Sequence, residues 1–591
     1  MKNQRNMILA VLLTGLLLFG WDAVVRHFYP LPAKPVRAAA ASNSSAPVAA
    51  PGKPGTPTRE GGLTSAADVA LEAQDLQAAL KAPTRVPIAA PGLSGTINLN
   101  GAVLDDLTAN RHTASVKRDS GPARIFSPAG TPAQHFAQLG WLGQGVVAPN
   151  GATLWTAPAG ARLTPQSPVT LTWTNPTGQT FAIRYAIDAD YLISVSQSVT
   201  NGGAAPAIVQ PYALLSRTEK TASLDSWNVH SGPFGAFDSA VSFAPKYKGV
   251  TEAGTFNNEG KPNWIGFTDI YWMSTLIPDA GAAATSDFRA LGNGLFRADL
   301  MYQPVTVAPG QTQTLNSRLF AGAKESRVLD RYEEAGIPHF GLAIDWGWFR
   351  WFEKPIFWLL TTLFHAVGNF GVAIILLTLI VRGLMFPVAQ RQFASMASMR
   401  AIQPKMKALQ ERYKDDKPKL QEETMKLYKE EKVNPLAGCL PIFLQIPVFF
   451  ALYKVLMLSI EMRHQPFVLW IKDLSAPDPL HILNLFGALP FDPPSFLAIG
   501  VLAILLGITM FLQFKLNPAA ADPIQQQMFS IMPWIMMFVM APFAAGLLIY
   551  WITSNVLTIA QQKYLYSRHP QLKAQTDKDQ ANTKRAAAQA K

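Results

Sequence analysis

Cysteine is almost absent from this chain of 591 residues, in which Cys439 is the only one. A framework of disulfide bonds and a cysteine-rich metal site are therefore excluded. The long region 27–345 contains no cysteine at all. A folded domain in that region must be held together by its apolar core, because no covalent cross-link is available.

Charged residues are also scarce. They make up 15% of the chain, whereas soluble globular proteins carry about 25%. Hydrophobic residues account for 49%. This balance excludes an ordinary soluble protein and indicates a membrane protein with soluble parts. The net charge of +12 is concentrated in a few short segments, which argues against a basic domain that binds nucleic acid.

The amino-terminal segment 1–26 holds an apolar run from Met7 to Trp21, with basic residues before and after it. A cleaved signal peptide and an uncleaved transmembrane anchor both fit this pattern. We predict the anchor, because the run continues in broken form through Val25 and no small-residue cleavage site closes it.

Aromatic residues are missing between residues 30 and 60, where seven prolines and eight alanines occur. Such a segment has nothing to bury, so we predict a flexible linker. A short helical pattern follows from Ser65 to Leu80.

Segments of alternating polar and apolar residues dominate from about residue 87 to residue 318, for example 182–188 and 191–199. Asn-Gly, Asn-Pro and Pro-x-Gly turns separate them, as is typical of antiparallel sheets. We predict a large β-sandwich over residues 86–337. Its charge is balanced, with 23 basic and 23 acidic residues from 30 to 345, which argues against a basic groove for nucleic acid.

Candidate functional residues are few in this β region. Its histidines stand singly, without metal-ligand spacing or a nucleophile motif, and we interpret them as structural: His112, His135 and His230. Some aromatic residues could line a sugar or peptide groove, but packing in the core is the favoured interpretation for Trp227, Trp264, Tyr271 and Trp272.

The stretch 370–387 is long enough to cross most of a bilayer as a helix, at about 1.5 Å per residue, yet it contains Arg382. An arginine at the centre of a membrane helix costs about 2.5–3.5 kcal/mol on insertion scales, so it usually faces protein or water. Two interpretations stay open: the guanidinium lies in a polar groove, or its stem reaches back to the cytosolic surface. Thr378, four residues earlier on the same helical face, favours the groove.

Each later apolar segment also contains polar residues. They are Gln445 in 436–458, Thr509 and Gln513 in 496–514, and Tyr550, Thr553, Ser554 and Asn555 in 542–562. Hydrogen bonds between helices would explain them without any functional role. Together with Arg382 they could instead line a wet cavity that is closed on the outer side.

The distribution of charge predicts which segments face the cytosol. The segment from Arg382 to Leu436 has twelve basic and seven acidic residues, with helical spacing on both sides of a polar break at 415–418. We predict a cytosolic helical hairpin there. The tail 563–591 has seven basic and two acidic residues and is also predicted to be cytosolic, whereas the acidic loop 459–495 is predicted to lie outside.

Three motifs resemble the YidC/Oxa1/Alb3 family of membrane insertases: Val-Arg-Gly-Leu-Met-Phe-Pro at 381–387, the apolar run 434–453, and Ser554-Asn555 followed by Gln561-Gln562. The outer β domain and six spans make the chain similar to the Gram-negative bacterial members. The resemblance implies a hydrophilic groove around Arg382 and Thr378, a cytosolic hairpin that receives substrates, and client contacts by Tyr550 and Trp551. Family members often carry a second tyrosine where this chain has tryptophan.

We therefore predict a polytopic α-helical membrane protein with six transmembrane helices, a large periplasmic β-sandwich domain and a cytosolic helical hairpin. The predicted segments are an N-terminal transmembrane anchor at 1–26, a flexible periplasmic linker at 27–85, the β-sandwich at 86–337, an interfacial amphipathic helix at 338–369, transmembrane helix 2 at 370–387, the hairpin at 388–435, transmembrane helix 3 at 436–458, a periplasmic loop at 459–495, transmembrane helix 4 at 496–514, a cytosolic loop at 515–527, transmembrane helices 5 and 6 at 528–541 and 542–562, and a basic cytosolic tail at 563–591.

The predicted function is the insertion and folding of nascent inner-membrane proteins through a hydrophilic groove, without covalent catalysis, metal or cofactor. The predicted groove residues are Arg382, Thr378, Gln445, Tyr550, Trp551, Ser554 and Asn555. The expected partners are nascent membrane proteins, the Sec translocon, the ribosome through the basic tail, and the phospholipid membrane. We expect a monomer in the bacterial inner membrane, with both termini in the cytoplasm.

Three other functions are alternatives to this one. A secondary transporter should show repeated halves, and we find no internal repeat. An intramembrane hydrolase needs a catalytic dyad, but Ser530 and Ser554 have no histidine or lysine at a suitable depth and no span holds two aspartates. A sugar-binding envelope protein remains an alternative for the outer domain.

Overall fold

The computed structural model describes residues 61–568, apart from residues 83, 118, 224–228, 348–349, 391–401, 414–415, 432–439, 487–488, 490–497 and 517–522. The predicted anchor at 1–26 and the tail beyond residue 568 lie outside the described residues.

Eighteen strands form the described β region. They are β1 Arg85–Ala89, β2 Leu93–Asn98, β3 Val103–Thr113, β4 Pro122–Phe126, β5 His135–Gln144, β6 Val169–Thr174, β7 Gln179–Ile187, β8 Leu192–Asn201, β9 Ala207–Thr218, β10 Gly232–Phe237, β11 Ala240–Ser242, β12 Thr255–Asn257, β13 Pro262–Thr268, β14 Trp272–Pro278, β15 Ala284–Gly292, β16 Leu295–Tyr302, β17 Val305–Val307 and β18 Thr312–Ala323.

The strands build two antiparallel sheets that face each other. One sheet has ten strands, in the order β1-β2-β3-β5-β9-β16-β15-β12, with β17 paired to β9 and β4 paired to β3. The other has eight, in the order β11-β10-β13-β14-β18-β8-β7-β6. Strands of opposite sheets contact each other, for example β13 with β16 and β14 with β9. The predicted β-sandwich is therefore confirmed.

Alternation along the strands explains why these sequences form a sandwich. In β7, Phe181, Ile183, Tyr185 and Ile187 are buried, while the residues between them are half-buried or exposed. Successive side chains of a strand point to opposite faces, so this pattern places one face on the core. Burial of an apolar side chain stabilises the folded state by about 1.5–3 kcal/mol. The apolar core therefore stabilises this domain in the absence of disulfide bonds.

The helices lie mostly after the sandwich. Their bounds are α1 Ala66–Leu80, α2 Tyr247–Ala253, α3 Ser326–Glu334, α4 Arg350–Val367, α5 Phe370–Leu384, α6 Gln403–Arg412, α7 Lys417–Glu430, α8 Leu440–Leu458, α9 Val501–Leu516, α10 Pro523–Met540 and α11 Ala545–Arg568. The helical pattern predicted from Ser65 to Leu80 is confirmed by α1, whose N-cap is Ser65.

The boundary between α4 and α5 follows from two residues. Gly368 has a positive φ of 70°, which glycine adopts without strain, and it ends α4. Asn369 is the N-cap of α5, and its side-chain oxygen accepts a hydrogen bond from the Val372 amide at 3.1 Å. This break coincides with the predicted boundary between the interfacial helix at 338–369 and transmembrane helix 2 at 370–387.

The helices after the sandwich form a packed group. α5 contacts α4 and α11, α9 contacts α10 and α11, and α8 contacts α4 and α11. Five predicted spans fall on α5, α8, α9, α10 and α11, although α5 already ends at Leu384 and α11 continues to Arg568. In the described part of the chain, no helix combines the length and the apolar character required to cross a membrane.

Candidate functional site

Arg382, near the end of α5, directs its guanidinium at α11. Its Nε donates a hydrogen bond to the Ser554 hydroxyl at 3.2 Å, and its Nη2 donates to the same oxygen. Ser554 is 3% exposed, so the contact is made inside the helical group. The side chain of Arg382 is half-buried. The charged group is thus held between two helices and does not extend along its own helix.

Asn555, the next residue of α11, makes the corresponding contact with α9. Its Nδ2 donates to the Thr509 hydroxyl at 3.2 Å, and that hydroxyl donates to the Leu506 carbonyl at 3.0 Å. Successive helical residues point about 100° apart, so Ser554 and Asn555 can serve two different neighbours. One short segment of α11 therefore joins α5 and α9 through polar side chains.

Two aromatic residues of α11 lie one turn before this pair. Tyr550 is buried and lies on the same side of the helix as Ser554, four residues on. It is close enough to Arg382 for an electrostatic interaction. Trp551 is half-buried and packs on Phe449 of α8, with 5.1 Å between the ring centroids.

The two remaining predicted groove residues are placed differently. Thr378 is buried, and its hydroxyl donates to the Ile374 carbonyl of its own helix at 2.7 Å. Its polar group is thus satisfied within α5. Gln445 belongs to α8, but its side chain lies outside the described residues.

Thr509 is the residue that the predicted groove set omitted. A threonine in an apolar segment is commonly a structural residue whose hydroxyl bonds to its own helix. The sequence does contain a signal for a polar face on α9, because Gln513 lies four residues later on the same side of the helix as Thr509. Gln513 Oε1 is buried and has no hydrogen-bond partner among the described residues.

A broad apolar surface surrounds this polar seam between α5, α9 and α11. Large apolar side chains are exposed on α5, α9, α10 and α11, namely Leu379, Ile380, Leu384, Leu505, Ile508, Phe511, Leu512, Trp534, Ile535, Phe538, Val539 and Val556. An exposed apolar surface that extends over several helices marks contact with a membrane or with another apolar partner.

The candidate residues of the β-sandwich are structural. Burial, together with the charge of Arg217, lowers the pKa of His135 well below its ordinary value, and the neutral ring lies 2.8 Å from the Ser274 hydroxyl. His112 contacts a carboxylate oxygen of Glu325, and His230 contacts the Pro233 carbonyl oxygen. The preference for core packing is confirmed for Trp264 and Tyr271, which are fully buried, whereas Trp227 lies outside the described residues.

A guanidinium has more N–H donors than one serine hydroxyl can accept. Arg382 therefore retains hydrogen-bonding capacity and positive charge beside an apolar surface. A β-sandwich joined to helices with a broad exposed apolar surface is typical of a membrane protein with a large extramembrane domain.

Comparisons with known proteins agree with this class. The family model described as YidC periplasmic domain matches residues 85–359, and that described as 60Kd inner membrane protein matches residues 362–573. The chain is 44% identical over 571 residues to the membrane protein insertase YidC of Zymomonas mobilis subsp. mobilis, with 96% of each chain covered.

Two other curated relatives carry the same name. The protein from Nitrobacter hamburgensis is 41% identical over 591 residues, with 96% of each chain covered, and that from Rhizobium johnstonii is 45% identical over 478 residues, with 80% of each covered. An active YidC insertase crystal structure with its first transmembrane domain resolved covers 81% of this chain and 92% of its own, at 18% identity and a TM-score of 0.34.

The chain belongs to the YidC family of membrane protein insertases. The resemblance expected from the three sequence motifs is thereby confirmed. It is an inner-membrane protein with a periplasmic β-sandwich domain, and an insertase, not an enzyme.

Proposed function

We propose that the seam between α5, α9 and α11 is the groove through which this insertase moves the hydrophilic part of a nascent membrane protein. The contacts of Arg382 with Ser554 and of Asn555 with Thr509 support this proposal, because they concentrate polar groups between otherwise apolar helices. Each unpaired backbone group costs several kcal/mol in hydrocarbon, so a polar groove lowers the barrier to moving a polypeptide past lipid.

Arg382 attracts acidic residues that flank the client's apolar segment. Its guanidinium exchanges the Ser554 contact for a carboxylate, which it can bind with two parallel hydrogen bonds. The membrane potential acts in the same direction, since moving one negative charge outward gains about 2.3 kcal/mol per 100 mV. Together these effects favour transfer of an acidic flank to the periplasm.

The apolar part of the client moves into lipid along α8 and α10, the third and fifth predicted spans. Exposed Trp534, Ile535 and Phe538 on α10 support this role, because they offer an apolar surface beside the groove. Half-buried Met536 and Met537 lie on the same helix, and flexible methionine side chains can adapt to clients of different shape. Gln445, Tyr550 and Trp551 are proposed client contacts, and Thr378 supports the wall of the groove.

The proposed topology has six transmembrane helices, with both termini, the hairpin and the basic tail in the cytoplasm. The loop after α8 contacts the periplasmic sandwich: Arg463 Nη1 donates to the Thr113 carbonyl at 2.8 Å. Loop and sandwich therefore belong on one side of the membrane, which supports the proposed direction of α8 and α9. Helices α6 and α7 lie in the predicted hairpin, and Lys405 of α6 pairs with Glu431 at the end of α7.

The hairpin is proposed to receive the nascent chain first. The basic tail is proposed to bind the ribosome, and cooperation with the Sec translocon and activity as a monomer are further parts of the proposal. A tail that binds ribosomal RNA through lysine and arginine should lose affinity steeply as salt concentration rises.

Site-specific photocrosslinking tests the groove. A photoreactive amino acid is placed at position 382, 445 or 550, and a ribosome stalled on a nascent membrane protein supplies the client. We expect crosslinks to the client from all three positions and few from Val556, which is exposed on another part of α11. If the three positions capture lipid alone, the groove is not the client's path.

A further inference from the structure

The outer loop between α8 and α9 contacts the first turn of three helices. The Phe467 carbonyl accepts a hydrogen bond from the Asn369 side chain, at the start of α5, at 3.1 Å. The Leu474 and Ala476 carbonyls accept from the Gly546 and Ala545 amides, at the start of α11, at 2.9 and 2.8 Å. Those two helices carry Arg382 and Ser554.

Asp478 provides the third contact, at the start of α9. Its Oδ2 accepts a hydrogen bond from the Leu502 amide at 2.8 Å. Its Oδ1 accepts from the Trp470 ring nitrogen and from the Leu480 amide, both at 3.0 Å. One carboxylate therefore caps the helix that carries Thr509 and holds the loop at the same time.

A glycine stands at each of these helix starts and allows the loop to approach closely. A Cβ on Gly371 would lie 2.0 Å from the Phe467 ring, and one on Gly500 would lie 2.6 Å from the Asp478 Cβ. A Cβ on Gly546 would lie 3.2 Å from the Leu474 carbonyl oxygen. The same close fit at three separate helices shows that the loop is packed as a unit against all of them.

Hydrogen bonds within the loop also hold it together. Asp473 Oδ1 accepts hydrogen bonds from the His464 amide at 3.1 Å and from the Ser475 amide at 2.8 Å. Arg463 connects it to the sandwich, through the carbonyls of Thr113 and Ala114 and by lying over the ring of Trp272 at 5.3 Å. A support that is fixed at both ends can hold helices at constant spacing.

We propose that residues 467–478 form an outer clip that sets the spacing of the three groove helices, with Asp478 as the positioning residue for α9. The clip acts at the periplasmic ends, so the polar seam can open to the cytosol and lipid while its outer end stays closed. Its consequence for clients rests on the proposed groove, but the clip itself can be tested without any client.

Hydrogen exchange of the full-length protein in nanodiscs is the test, with Asp478→Asn as the variant. Asparagine keeps one oxygen for Trp470 and Leu480 but presents an NH₂ group to the Leu502 amide. We expect the first-turn amides of α9 to exchange about fivefold faster, the ratio that corresponds to the loss of one helix cap. Amides of residues 463–476 should keep their wild-type rates.

Lys472→Gln is the matched control, because Lys472 is an exposed residue of the same loop. It should leave exchange unchanged in both regions. If Asp478→Asn does not fold, Gly500→Ala perturbs the same contact from the helix side and should give the same pattern. Unchanged exchange at the start of α9 in a folded variant overturns the clip, and so does equal acceleration throughout the loop.

Photocrosslinking from position 550 separates the clip from the groove. If the clip and the groove both exist, Asp478→Asn should lower the client crosslink while Lys472→Gln preserves it. If the wild-type protein gives no client crosslink while Asp478→Asn still shows faster exchange, the groove is contradicted and the clip is supported. A wild-type crosslink together with unchanged exchange contradicts the clip alone.

Discussion

Removal of the Arg382 side chain should impair insertion selectively, for clients with an acidic flank. In the structure the guanidinium bonds to Ser554 through Nε at 3.2 Å and through Nη2, so its partner can be exchanged for a client carboxylate. A hydrogen bond to a charged group contributes about 1.5–3 kcal/mol. Because 1.4 kcal/mol corresponds to a factor of ten, Arg382→Ala should lower insertion of such a client about tenfold to a hundredfold.

The assay is co-translational insertion into proteoliposomes, with protease protection as the readout. Two clients are compared that differ only in an aspartate or an asparagine beside the apolar segment. Arg382→Lys is the matched control, because it retains the charge and should preserve most insertion of the aspartate client. An equal loss for both clients in Arg382→Ala would refute the attraction of the acidic flank and leave only a structural role for the arginine.

Three further changes test other contacts. Burial raises the pKa of Glu353 to about 7, so its protonated form stabilises the fold fully below pH 4.5 and this contribution is lost as pH rises through 7. Glu353→Gln should remove that fall in Tm between pH 4.5 and about pH 7, and a variant with the wild-type pH profile would contradict the raised pKa. Arg463→Ala should cost about 2 kcal/mol and expose the junction of sandwich and loop to trypsin, since it removes bonds to Thr113 and Ala114; unchanged digestion would contradict a docked loop. Asn555→Leu should leave Thr509 without its donor and reduce insertion about fivefold through loss of about 1 kcal/mol, whereas wild-type insertion would show that this bond has no part in the groove.

The sandwich could be predicted because its signal is local. Alternating burial in strands such as β7 is visible in the sequence, and the sequence also favoured core positions for Trp264 and Tyr271, which the structure confirms. The order of strands within the two sheets was not predictable, since neighbours such as β9 and β16 are distant in the chain and no local pattern encodes their pairing.

Polar residues of the seam could be listed from the sequence, but their partners could not. Ser554 and Asn555 are adjacent, and only helix packing decides that one bonds to α5 and the other to α9. Thr378 stands on the same face as Arg382, yet its hydroxyl bonds to its own helix, an option that every buried threonine has. The capping role of Asp478 could not be predicted from the sequence, because it depends on a contact with a residue 24 positions away in the chain.

The central claim, a hydrated groove with Arg382 on its wall, is tested most directly by spin-label accessibility in nanodiscs. Labels are attached to cysteines at 380, 382 and 384 in a Cys439→Ser background, and contact with oxygen in lipid is compared with contact with a water-soluble nickel complex. Position 384 lies about 3 Å further along α5 than position 382, toward the proposed cytosolic end of the helix. A groove predicts that nickel contact is highest at 382, between two lipid-facing neighbours, whereas a steady rise from 380 to 384 would contradict it.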